Sequence, residues 1–152
     1  MKNHQFKQLR LTQRAEIRNW VEQFGQYQFL ITITPNKPRV SRAEFEKAVY
    51  LSLNIINRMF YGRAARTGQR SLASLAVTEK AKNWEGFHAH LLLGKSPAHS
   101  ISEAKEIIKR VLGSIRIFGY FDVRRYRDER HLSYVLKQGS EALFPDGCRR
   151  AK

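Results

Sequence analysis

Two histidines one residue apart, His88 and His90, sit inside the apolar run FHAHLLL at residues 87–93. The run is short for a helix and is closed by Gly94 and Pro97, so it is expected to be a strand. Alternation along a strand turns both imidazoles to one side with Leu92, and turns Phe87, Ala89, Leu91 and Leu93 to the other. Imidazole is a common ligand for divalent transition metals, and two on one strand face begin a metal site. The preceding stretch SLASLAVTE, residues 71–79, reads as a second strand joined to the first by a polar turn over residues 80–86. If Glu79 pairs opposite His88, then Val77 falls opposite His90, and directly opposed Cβ atoms are about 4.5–5.5 Å apart. Glu79 is then the third ligand, and a register moved by two residues keeps it on the same face. The plainer alternative leaves Glu79 as an exposed charge at a strand end, beside Lys80. His4 and His99 fall outside the arrangement and read as surface residues.

A second kind of chemistry is offered by Tyr134, three residues before Lys137 and three after His131. Residues 128–139 start on an aspartate suited to an N-cap, end on a glycine suited to a C-cap, and carry Leu132, Val135 and Leu136 on one side. On that helix His131, Tyr134 and Lys137 share the opposite face. An unperturbed phenol ionises near about pH 10, so its attack on a phosphodiester at neutral pH needs help. A nearby cation can favour the phenolate, or a metal can polarise the phosphate. Taken alone, Tyr-x-x-Lys also describes an ordinary surface pair.

These residues need a scaffold. Residues 11–24 place Leu11, Ala15, Trp20, Val21 and Phe24 at mostly helical spacing before Gly25. Residues 28–34 (QFLITIT) are a strand stopped by Pro35 and Pro38. Ser41 with Glu44, and Ser100 with Glu103, form capping boxes ahead of two amphipathic helices, one running to about Phe60 and the other to about Ile115. A fourth strand is expected over residues 120–127. Strand, helix, strand, strand, helix, strand is the order of a ferredoxin-like split βαβ unit, an α+β fold with a central antiparallel sheet. It is extended here by an N-terminal helix and by a C-terminal helix that carries Tyr134. Both amphipathic helices then pack on one sheet face, which leaves the histidine face open to water and metal.

The chain of 152 residues fits a single domain, residues 1–152, with 42% hydrophobic residues to build its core. No apolar run approaches the roughly 18 residues of a membrane span, and residues 1–10 lack a secretory signal, so a soluble cytoplasmic protein with no membrane partner is expected. The single cysteine, Cys148, has no partner for an internal disulfide and agrees with a reducing compartment. Twenty-eight Lys and Arg against 13 acids give a net charge of +15, the footprint of a polyanion-binding surface. Arg63, Arg66 and Arg70 form one basic cluster and Arg124, Arg125, Arg127 and Arg130 another, with Arg149 and Arg150 near the end. The first two clusters are expected to contact nucleic-acid phosphates.

With these residues in view, residues 87–91 (FHAHL) resemble the His-hydrophobic-His motif of the HUH endonucleases, and residues 134–137 (YVLK) resemble that family's nucleophile motif. Residues 30–35 (LITITP) are similar to the first strand motif of rolling-circle replication initiators, and Glu79 stands where that group often has an acidic ligand. The resemblance covers about residues 28–139. It implies a divalent ion, Mg²⁺ or Mn²⁺, held by His88, His90 and Glu79, and in-line attack by Tyr134 on single-stranded DNA to leave a 5′-phosphotyrosyl link and a free 3′-hydroxyl. Lys137 would ease charge on the phenolate or phosphate, with His131 as an accessory group. No second tyrosine follows Tyr134, so the likeness is to the single-tyrosine group, and Tyr126 is a poor substitute on a strand. A replication initiator (Rep) is favoured, with unwinding left to a partner helicase. A single-tyrosine transposase or a relaxase shares the chemistry. A non-catalytic single-strand-binding module and a zinc hydrolase using water are the rivals from other classes.

Overall fold

The computed structural model describes residues 15, 16, 18–37, 39–81, 86–136 and 147–152. The elements are β1 (Tyr27–Pro35), α1 (Arg42–Tyr61), a single turn α2 (Arg63–Arg66), β2 (Ser74–Lys80), β3 (Phe87–Gly94), α3 (Ile101–Ser114), β4 (Phe118–Arg125) and α4 (Glu129–Val135). Residues 18–22 are also helical, within the helix expected over 11–24. The four expected strands and the helices after Ser41 and Ser100 form with ends displaced by at most three residues; α4 is shorter than expected, ending at Val135 with Leu136 as its C-cap, while Gly139 lies outside the described residues, and the turn-rich stretch after Gly62 contains the helical turn α2.

Both capping boxes are built as their sequences require. The Ser41 and Ser100 hydroxyls accept from the backbone N–H of Glu44 and Glu103, and each glutamate carboxylate accepts in return from the serine N–H. Those bonds, the backbone one first and the hydroxyl second, hold both carboxyls below the ordinary carboxylate range. Their stabilisation is therefore present above that range and is lost as pH falls through the lowered values. Ser100→Ala is expected to cost about 1 kcal/mol of stability, measurable by urea unfolding, because the Glu103 N–H loses its side-chain acceptor. An unchanged midpoint would assign the cap no role.

The sheet is antiparallel throughout, in the order β2-β3-β1-β4. On its first face Phe29, Ile31, Ile33, Ala76, Ala89, Leu91 and Leu93 meet Phe45, Val49, Leu53 and Ile56 of α1 and Ala104, Ile108 and Leu112 of α3. Alternation along the strands thus sends the apolar residues of β3 to the helices, as their spacing predicts. The second face departs from expectation. It is not open: Leu132, Val135 and Leu136 of the α4 region, together with Val21, pack on Leu30, Leu75, Val77 and Leu92. The reason is that this face is mixed, apolar at one end of the strands and polar at the other, and its apolar end needs a cover. Among the described residues no helix is long and apolar enough to cross a membrane.

Candidate metal centre

The polar end of the second face is set by the β2–β3 register. Glu79 lies opposite His88 and Val77 opposite His90, the pairing that places one carboxylate and two imidazoles on a common side. Glu79 Oε2 is 3.0 Å from His88 Nε2 and 3.8 Å from His90 Nε2. The packing of α4 changes the surroundings from those expected: Glu79 and His90 are 1% and 2% exposed, and His88 alone of the three keeps partial access to water. A charged carboxylate in such a place must be offset by opposite charge or by a metal.

The donor set fits a metal ion. Glu79 Oε2 stands 3.0 and 3.8 Å from the two imidazole nitrogens, inside the roughly 4.4 Å that can separate two ligands each held about 2.2 Å from one ion. The β1 strand adds a support that spacing alone did not reveal. Thr32, paired with His90, brings its Oγ1 to 3.1 Å from His90 Nδ1. When Nδ1–H donates to that hydroxyl, Nε2 turns its lone pair toward Glu79 and His88, the orientation a metal ligand needs. Thr32→Val keeps the branched shape and removes the hydroxyl, and is expected to weaken divalent-metal binding about 10–100-fold. Titration calorimetry with Mn²⁺ reads this directly, and wild-type affinity would show that Thr32 does not orient the ring.

Tyr134 stands beside this cluster. Its ring packs edge-on to that of His90, centroids 5.2 Å apart, and the side chain remains 49% exposed. Tyr134, His90, Thr32 and His131 line a groove of about 360 Å³ with Leu30, Tyr120, Asp122 and Arg124 of β1 and β4. No family profile, curated protein or solved structure matches the chain. What the site can do is therefore argued from its own atoms.

The remaining residues singled out in the sequence fall into separate places. His131 lines the groove but does not join the ligand cluster; its Nδ1 accepts from the Arg127 N–H at 3.2 Å. Lys137 lies outside the described residues. Arg124 faces the groove and is paired with Asp122; Arg125, Arg127 and Arg130 are exposed, and Arg125, opposite Phe29 in the β1–β4 ladder, stands on the other face of the sheet. Arg66 and Arg70 line a different cleft, and Arg63 is exposed on α2. Tyr126 is a poor nucleophile for a physical reason: burial, then the neighbouring Glu129 and Asp128 carboxylates, push its phenol above the ordinary value. Asp122 and Tyr120 reach the groove only because β4 lies beside β1, a pairing that local sequence does not encode.

Proposed function

We propose that this protein is a metal-assisted endonuclease for single-stranded DNA that uses Tyr134 as its nucleophile. The observation that carries the reading is the contact between the Tyr134 ring and His90, which puts an exposed phenol beside a carboxylate–imidazole cluster at the end of a groove. A cluster that only activated water would have no use for a phenol there. A divalent ion held by Glu79, His88 and His90, Mg²⁺ or Mn²⁺, supplies Lewis-acid polarisation of a phosphodiester oxygen.

The chain's own residues do the rest. The Tyr134 phenol gives up its proton and its Oη forms a bond to phosphorus. The P–O3′ bond breaks, and the departing O3′ takes up a proton. The number of phosphodiester linkages is conserved, so the 3′-hydroxyl can attack the phosphotyrosine and restore the strand or can prime synthesis. Arg124 at the groove, with exposed Arg127 and Arg130 in the segment that follows β4, suits a strand's phosphates, which position DNA without reading its sequence. Lys137 and His131 are assigned the accessory task of easing charge on the phenolate and the leaving oxygen.

The strand order β2-β3-β1-β4, with α1 and α3 on one face, agrees with a ferredoxin-like split βαβ layout carrying the nucleophile on an added helix. That layout and the motifs of residues 87–91 and 134–137 favour an HUH-type replication initiator acting with a host helicase. The test is to incubate the protein with Mn²⁺ and single-stranded oligonucleotides tiling its own genetic element, then look for a protein–DNA adduct by denaturing gel and mass spectrometry. An adduct on Tyr134 is expected. Cutting without an adduct would transfer the reaction to a metal-bound water, and binding without cutting would reduce the protein to a single-strand-binding module.

A further inference from the structure

Away from the groove, a cleft of about 550 Å³ opens where α1, the turn after α2 and the C-terminal segment converge. Arg58, Arg66, Arg70, Arg149, Arg150 and Lys152 all line it, and no aspartate or glutamate among the described residues does. These cations come from two distant parts of the chain, residues 58–70 and 149–152, which the fold brings together. The C-terminal segment is clipped to the free edge of β2 by paired hydrogen bonds between Ser74 and Arg149, 3.0 and 2.8 Å. Ala151 N–H donates to Phe24 O at 2.7 Å, Lys152 N–H to Ser71 O at 3.1 Å, and the Ser71 hydroxyl to Arg150 O at 2.8 Å. The Arg149 guanidinium donates to Asn54 Oδ1 at 2.7 Å and lies 5.1 Å from the Tyr50 ring centre. Backbone bonds thus bring six cationic side chains to one cleft, an arrangement that favours an anion between them.

We infer that this cleft is a second seat for the phosphate backbone of the DNA that enters the groove. The inference rests on the endonuclease reading for the identity of the polyanion. Ser74, beside the cleft, and Glu79, in the metal cluster, mark opposite ends of β2, roughly 17 Å apart at about 3.4 Å per residue. The cleft opens on the α1 side of the sheet and the groove on its other face, so a single strand that reaches both passes round the β2 edge, where the metal cluster lies. The cleft grips without reading bases, and it joins Arg66 and Arg70 to Arg58, Arg149, Arg150 and Lys152, which the sequence kept apart.

The test is the salt dependence of binding to a fluorescent single-stranded oligonucleotide, followed by anisotropy. Arg66, Arg70 and Arg150 are exposed, so the triple variant R66Q/R70Q/R150Q is expected to fold, with thermal melting as the check. Each lost phosphate contact on a single strand removes about 0.7 from the slope of log K against log salt, so the triple variant is expected to lose about 2. A control, K47Q/R110Q/R116Q, removes the same charge from exposed positions outside the cleft. An unchanged slope in the cleft variant, or an equal loss in the control, overturns the inference while leaving DNA binding in place. A wild-type protein that shows no salt-dependent binding overturns the endonuclease reading and the cleft's role with it.

Discussion

Tyr134→Phe is expected to abolish DNA cleavage, by at least about 10³-fold, while leaving metal binding and DNA binding intact, because loss of a covalent nucleophile removes the reaction path rather than one contact along it. The substitution is well suited to the question. Phenylalanine retains the ring that packs edge-on to His90, and the side chain is half exposed, so the change removes an oxygen without opening a cavity. A denaturing gel that shows the adduct for wild type and none for the variant supports the covalent mechanism. Wild-type cutting by the variant would exclude it and leave the Glu79, His88 and His90 cluster to act through water.

The second large effect concerns the metal itself and needs no activity assay. An ion that binds the folded state alone raises stability by about 2.7 kcal/mol when present at 100 times its dissociation constant. Added Mn²⁺ is therefore expected to raise the melting temperature of the wild type by several degrees, and a chelator to reverse the gain. His88→Ala should remove the shift, since it deletes one of three ligands and leaves Glu79 without its 3.0 Å partner. His88 is the informative position because it is the most accessible of the three, whereas replacing buried His90 would disturb packing as well. A metal-induced shift of full size in His88→Ala would show that the ion binds elsewhere.

The metal cluster was legible in the sequence because it depends on local rules. Alternation fixes which side of β3 carries His88 and His90, and the hairpin register then fixes Glu79 opposite His88. Capping boxes at Ser41 and Ser100 located the helices for a similar reason, since each is read from four consecutive residues. What escaped depends on distant pairings. Thr32 supports His90 across 58 residues of chain, and Arg149 reaches Asn54 across 95. The cover over the second face is not evident locally, because Leu132, Val135 and Leu136 mark an apolar side of α4 without showing what it packs on. Their counterpart is Leu30, Leu75, Val77 and Leu92, one residue from each of several strand positions and inconspicuous until the sheet assembles them.

The seven residues of α4 are fewer than an isolated helix needs to persist in water, about 12–15. The position of Tyr134 is thus borrowed from that small apolar patch and from Arg18, which bonds the Ser133 hydroxyl and lies 4.0 Å from Glu129. Amide protons of α4 should exchange with solvent through openings that leave the central strands protected. On heating, the proposed strand cutting is expected to fade while the sheet still gives its full circular dichroism signal, so the melting point would overstate the temperature range over which Tyr134 keeps its place.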